Sequence, residues 1–273
     1  MDGFELTSKE DDSDSKKELN SVEAWNKRGL TLDGMGKLDE ALESFDEALK
    51  IESDIPVIWN NRGIILQKMG KLKEALESYD KALKLREDDP KTWFNRGNVL
   101  IIIDKLKEAL ESYDKALKLD PKSTEAWNNR GMTLHRMGKL NEAMKSYTKA
   151  LALKTDYAGA WYNLGNALGS QGKLAEALAA LEQALKWRMN LPDRGERIYP
   201  VWTRLICFNS KVAIEKKKTE AAKELAKRFK VILEDAQEDG MDKIIIETER
   251  KLEEDPKLRV SLQKLQKLIS ESE

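Results

Sequence analysis

The sequence predicts an all-α fold, a solenoid of antiparallel helix pairs packed side by side, and three observations lead there. Trp25, Trp59, Trp93, Trp127 and Trp161 stand 34 residues apart, each followed four residues later by Gly29, Gly63, Gly97, Gly131 or Gly165. Both halves of each copy carry apolar residues at a period near 3.6, the mark of an amphipathic helix. The link between the halves is too short for anything but an antiparallel hairpin. A lone pair cannot bury its apolar stripe, so neighbouring pairs must stack.

The elements come in order along the chain. Residues 1–21 hold seven acids and three lysines before Ser21 and are expected to be a flexible acidic segment. Five copies then run over residues 22–55, 56–89, 90–123, 124–157 and 158–191. In the fourth, "EAWNNRGMTLHRMG" reads as a helix stopped by a glycine suited to a left-handed cap, and "LNEAMKSYTKALAL" comes at once after it. Ala41, Ala75, Ala109, Ala143 and Ala177 recur on the second helices, as do Ala48, Ala82, Ala116, Ala150 and Ala184. Between them stand Phe45, Tyr79, Tyr113, Tyr147 and Leu181. The small residues let helix axes approach, and the aromatics fill the gaps. The third copy departs from its sisters, with Asp104 in place of the stop glycine after Ile101, Ile102 and Ile103. Asp104 can take the left-handed turn, at some cost.

Beyond residue 191 the period breaks. Residues 192–240 read as a divergent helix pair, with Thr219 as N-cap and Gly240 as stop, and residues 241–273 as two C-terminal capping helices. Leu258, Leu262, Leu265 and Ile269 share one stripe, which can cover the end of the stack or form a seam for self-association.

The recurring Trp, Gly, Ala, Tyr, Ala pattern closely resembles the tetratricopeptide repeat (TPR) family, over five consecutive copies. The resemblance implies a right-handed superhelix whose concave face is lined by the first helix of each pair. The leucine normal for that family at repeat position 7 is replaced by Arg28, Arg62, Arg96 and Arg130, returning only as Leu164. Position 25 holds Asp46, Asp80, Asp114, Thr148 and Glu182. Pairing each acid with the arginine of the following repeat makes charge and partner vanish together at Thr148 and Leu164. A structural ladder between repeats is therefore expected, against the alternative that the arginines only lie along the surface.

Repeat positions 2, 5, 6, 9, 12 and 13 share one stripe of the first helix, and by the resemblance that stripe faces the concave groove. Asn61, Asn95, Asn129 and Asn163 at position 6, with Asn98 and Asn166 at position 9, offer donors and acceptors matched to a peptide backbone. They equally suit hydrogen bonds between helices. Ile64, Phe94, Ile101, Ile102, Met132 and Tyr162 make the middle of the stripe apolar. Clustered exposed apolar side chains mark a partner site, and this stripe reads as a docking patch. The alternative is that Ile101 and Ile102 pack on each other and on the next helix. TPR proteins that clamp acidic C-terminal tails need a set of lysine, asparagine and arginine that this chain fills in no register. Asn61 and Lys91 fit one frame, whereas Asn26, Leu30 and Asn95 do not.

Composition narrows the function classes. Forty-eight basic and 49 acidic side chains nearly cancel, which gives no electrostatic case for nucleic acid. Lys216–Lys218, Lys223, Lys227, Arg228 and Lys230, with Glu215, Glu220 and Glu224 among them, read as a solvated helix face rather than a nucleic-acid contact. No apolar run is long enough to span a bilayer, and the N-terminal residues lack a signal pattern. One cysteine, Cys207, and one histidine, His135, allow neither a disulfide nor a metal or nucleophile constellation. The reading is a cytoplasmic, non-catalytic scaffold, without cofactor or metal, that binds an extended or helical peptide segment of a protein partner and inserts in no membrane. The alternative is an assembly protein that forms a homodimer through its C-terminal helices.

Overall fold

The computed structural model describes residues 21–187, 219–238 and 242–254, with isolated positions at 200, 203, 259–260, 263–264, 266–267 and 270. The expectations for residues 1–20, for 188–199, 201–202 and 204–218 with Cys207, for Gly240 and for Leu258, Leu262, Leu265 and Ile269 lie outside the described residues. The chain divides into two compact units, Met1–Lys122 and Ser123–Glu273. The described residues contain helices and no strand.

The first unit holds three helix pairs, α1 (Val22–Gly34) with α2 (Leu38–Ile51), α3 (Pro56–Lys68) with α4 (Leu72–Leu85), and α5 (Pro90–Ile102) with α6 (Leu106–Leu119). The second holds α7 (Thr124–Arg136) with α8 (Leu140–Leu153), α9 (Ala158–Ser170) with α10 (Leu174–Lys186), then α11 (Thr219–Glu238) and α12 (Asp242–Glu254). Helix starts obey local chemistry. The Ser21 and Ser123 side chains accept from the backbone N–H of Ala24 and Ala126, and Pro56 and Pro90 open α3 and α5, where no donor is needed. Each first helix is turned by a left-handed residue, Gly36, Gly70, Gly138 and Gly172 at φ 74–75° and Asp104 at φ 62°. The aspartate thus adopts the turn anticipated for it. Since an L-residue there costs about 1–2 kcal/mol, offset in part by the freedom glycine has when unfolded, Asp104→Gly is expected to stabilise the chain by up to about 1 kcal/mol in urea titrations.

The two helices of a pair meet where a Cβ would not fit. A side-chain carbon built on Gly29, Gly63, Gly97, Gly131 or Gly165 would lie 2.5–2.8 Å from the ring of Phe45, Tyr79, Tyr113 or Tyr147, or from Leu181. Phe45, Leu181 and the three tyrosines are almost wholly buried. Between pairs the tryptophan is the tie: the indole N–H of Trp59, Trp93 and Trp161 donates to the carbonyl of Ser53, Glu87 and Thr155 in the loop just before.

Two of the expected acid–arginine rungs stand in the first unit, and the arginines make further contacts that the sequence pattern does not suggest. Arg62 Nε donates to Asp46 at 2.7 Å and Arg96 Nε to Asp80 at 2.7 Å. The same guanidinium turns its other edge to a buried serine of its own repeat. Arg28, Arg62, Arg96 and Arg130 donate to Ser44, Ser78, Ser112 and Ser146 at 2.7–2.8 Å. Each also lies 5.5–5.8 Å from the ring of its tryptophan, a cation–π contact. In the fifth repeat arginine and serine are lost together, as Leu164 and Ala180. Thr148 turns back to the carbonyl of Met144. Glu182 takes Arg228 of α11 in two hydrogen bonds of 2.8 and 2.6 Å, so this arginine is half-buried in an ion pair rather than on a solvated face.

Candidate functional site

The first-helix stripe that the sequence marks as a docking face is half-buried, and its side chains are largely engaged with one another. In the unit Met1–Lys122, Asn61 Nδ2 donates to Asn26 Oδ1 at 3.0 Å and Asn95 Nδ2 to Asn60 Oδ1 at 3.1 Å. In the unit Ser123–Glu273, Asn163 Nδ2 donates to Asn128 Oδ1 at 2.9 Å. Position 6 of one repeat thus pairs with position 5 of the repeat before, the inter-helix alternative for these amides. The buried Thr92 hydroxyl joins the Asn60 node and also bonds Asp89. Each of Asn61, Asn95 and Asn163 keeps a second amide hydrogen and a carbonyl oxygen for other use. Asn129 Oδ1 accepts from Asn128 at 3.2 Å, and Asn98 Oδ1 accepts from the Tyr113 hydroxyl at 2.7 Å.

The apolar side chains divide differently from the sequence reading. Ile101 does not stand free. With Phe94, Ile103 and Leu76 it packs on the cluster of Leu100, Ala109 and Tyr113, and Phe94 lies tilted on the Tyr113 ring at 5.9 Å. Ile64 packs on the cluster of Leu66, Tyr79 and Val99. Ile102 is the one that faces outward, at 57% exposure, where the sister helices carry Gly34, Lys68, Arg136 and Ser170. Periodicity put Ile101 and Ile102 on one stripe, but a stripe has a floor, and Ile101 reaches it. Met132, Tyr162 and Asn166 are half-buried in the second unit.

The structure adds Val57 and Lys68 to the stripe and gives Leu30 and Asp33, already placed there by their repeat positions, their surroundings. Leu30 and Val57 lie on the same stripe at positions 9 and 2 and are about half exposed. Lys68 and Asp33, at positions 13 and 12 of neighbouring repeats, form an ion pair of 2.5 Å across it. Their positions on the repeat were the available signal.

The tyrosines beneath the stripe form a series. The Tyr79 hydroxyl donates to Gln67 Oε1 at 3.1 Å, as Tyr113 does to Asn98, so these hydroxyls reach the first helix at positions 12 and 9. Repeat four has Met132 and His135 there, and Tyr147 Oη is buried with no hydrogen-bond partner, alone in this among the described residues. Burial pushes the Tyr79 and Tyr147 hydroxyls above the ordinary phenol range. A buried hydroxyl left unpaired costs about 1–3 kcal/mol.

No group of three or more His, Cys, Asp and Glu able to hold a metal gathers among the described residues. Nor is any described helix long and apolar enough to cross a membrane.

Models of the tetratricopeptide repeat match residues 22–55, 56–89, 90–123, 112–145 and 158–191, and a TPR repeat model matches 133–172. Together they run unbroken over residues 22–191, more than half of the chain. The chain belongs to the tetratricopeptide repeat family. Among solved structures, this TPR protein is similar in fold to YrrB, described as a TPR protein with an unusual peptide-binding site. That match has 23% identity and TM-score 0.56, and covers 66% of this chain and 93% of YrrB. MamA from Desulfovibrio magneticus RS-1, residues 41 to the end, matches at 20% identity and TM-score 0.59, over 63% of this chain and 98% of MamA. PilF of Pseudomonas aeruginosa matches at 17% identity and TM-score 0.58, over 80% and 97%. No curated protein sequence matches the chain.

Proposed function

We propose that the chain is a non-catalytic protein-interaction scaffold that holds an extended or helical peptide segment of a partner against the stripe of its first helices. The observation that carries this reading is Ile102, an aliphatic side chain 57% exposed at the end of α5, beside half-buried Ile101, Phe94 and Asn98. A soluble repeat has no structural use for it there, since Lys68 and Arg136 occupy the same slot in sister helices. Asn61 and Asn95 in the first unit, and Asn163 in the second, retain an amide N–H and a carbonyl to meet a peptide backbone. YrrB, similar in fold, is described as having a peptide-binding site.

The test is selection of peptides from a random display library on the wild-type chain, followed by affinity measurement on variants. Because Ile101 is partly core, the clean variant is Ile102→Asp alone. Covering a large aliphatic side chain contributes about 1.5–3 kcal/mol, so the selected peptides are expected to bind Ile102→Asp at least ~10-fold more weakly, with helicity unchanged by circular dichroism. Selected peptides that bind both proteins equally would remove Ile102 from the site, and a selection that enriches nothing would remove the reading.

The second reading, self-association through the C-terminal helices, is favoured by Val231 on α11 and Ile246 on α12, exposed at 55% and 65%. Light scattering across a concentration series separates the two. A mass that rises for the full chain, and stays monomeric once residues 241–273 are deleted, belongs to assembly.

A further inference from the structure

We propose that the Tyr147 hydroxyl is a concealed hydrogen-bond donor for a backbone carbonyl of the bound peptide, uncovered when Met132 swings aside on α7. The inference rests on the peptide-binding reading and gives the second unit a polar subsite of its own.

The geometry is that of a repeated part with one partner removed. The rings of Tyr79, Tyr113 and Tyr147 lie alike across Gly63, Gly97 and Gly131, each within 3.1 Å of the Cβ those glycines lack. The first two hydroxyls then reach Gln67 at position 12 and Asn98 at position 9. In the fourth repeat those two positions are Met132 and His135, and no partner meets the buried hydroxyl. A thioether is a poor acceptor. The hydroxyl is not needed to pack the ring, because Phe45 fills the same slot in the first repeat with 1% exposure. A buried polar atom that the fold could dispense with, yet leaves unpaired, calls for a partner outside the fold.

Met132 suits a cover that moves. Its side chain is unbranched and flexible, it is half-buried, and it is held by a weak contact of 3.6 Å from Asn128 Nδ2 to its sulfur. Asn128 in turn accepts from Asn163, one of the amides proposed to meet the peptide. A backbone carbonyl fits the uncovered hydroxyl because it is an acceptor that every peptide carries and that brings no charge into an apolar surround.

The experiment uses the full chain and the display-selected peptides, with wild type, Tyr147→Phe and His135→Gln compared for affinity and thermal stability. Tyr147→Phe is expected to bind the peptides about 5- to 10-fold more weakly, the loss typical of one hydrogen bond, while melting no lower than wild type and up to about 2–4 °C higher. His135→Gln places at position 12 the acceptor that Gln67 supplies to Tyr79. It is expected to satisfy the hydroxyl internally, raise the melting temperature and weaken binding in the same way. Three results would overturn the proposal: undiminished affinity in Tyr147→Phe, a lower melting temperature for that variant, or a selection that yields no peptide. Peptides weakened by Ile102→Asp but indifferent to Tyr147→Phe would leave the peptide-binding reading standing and remove this one.

Discussion

Gly63→Ala is expected to destabilise the first unit by about 3 kcal/mol, the upper part of the range for forcing extra atoms into a packed core. The added Cβ would stand 2.6, 2.8 and 2.9 Å from three atoms of the Tyr79 ring. That ring has nowhere to go. It is wholly buried, it packs with Leu66, Ala75 and Val99, and its hydroxyl is tied to Gln67. Relief must come from moving α3 away from α4, which loosens the packing along both helices. The control is Gly34→Ala at the end of α1, where a Cβ meets nothing within 4 Å. There the better helix propensity of alanine makes the change neutral or stabilising by up to about 1 kcal/mol. Urea unfolding of the two variants checks the contrast. A cost under about 1 kcal/mol for Gly63→Ala would mean that the helix pair tolerates a wider separation than its packing implies.

Much of the fold is legible in the sequence because the chain repeats itself. A 34-residue period turns one ambiguous helix pattern into five concordant ones, and it locates the glycine turn, the small residues and the central aromatic. The odd residue at Asp104 is legible for the same reason, since its sisters define the backbone state it has to share. The Asp–Arg rungs are readable from joint gain and loss. The serine partners obey the same logic, although the pairing of acids with arginines does not reach them: Ser44, Ser78, Ser112 and Ser146 accompany the arginines, and Ala180 accompanies Leu164.

The candidate site is less legible, because a periodic pattern gives a face and not a depth. Asn61 and Asn95 share the stripe with Ile102, yet the amides lean across to the preceding helix while Ile102 projects. Ile101 and Ile102 are neighbours in sequence but about 100° apart around the helix, enough to send one to the Tyr113 cluster and the other outward. An orphaned hydroxyl such as that of Tyr147 is invisible to a residue pattern, since it depends on which of two first-helix positions the hydroxyl reaches.

The remaining large effect concerns Arg228, which no period could have pointed to because it lies beyond the array. Arg228→Ala is expected to cost about 2 kcal/mol, below the usual penalty for breaking a buried pair because both partners keep some contact with water. Glu182 occupies the slot that Asp46 and Asp80 fill earlier, where the cation comes from the next repeat. The family model ends at residue 191, and here the cation comes from α11, where Arg228 meets both carboxylate oxygens in a fork that lysine could not reproduce. Removing the arginine leaves a half-buried carboxylate facing α11 and should speed amide exchange in α11 and in the last turns of α10. A double-mutant cycle with Glu182→Gln isolates the pair, with a coupling of about 1–2 kcal/mol expected. A coupling below about 0.5 kcal/mol would mean that α11 is held through its buried Ala226 and Phe229 rather than through the ladder. The last acid of the array would then be a relic of the repeat rather than its joint to α11.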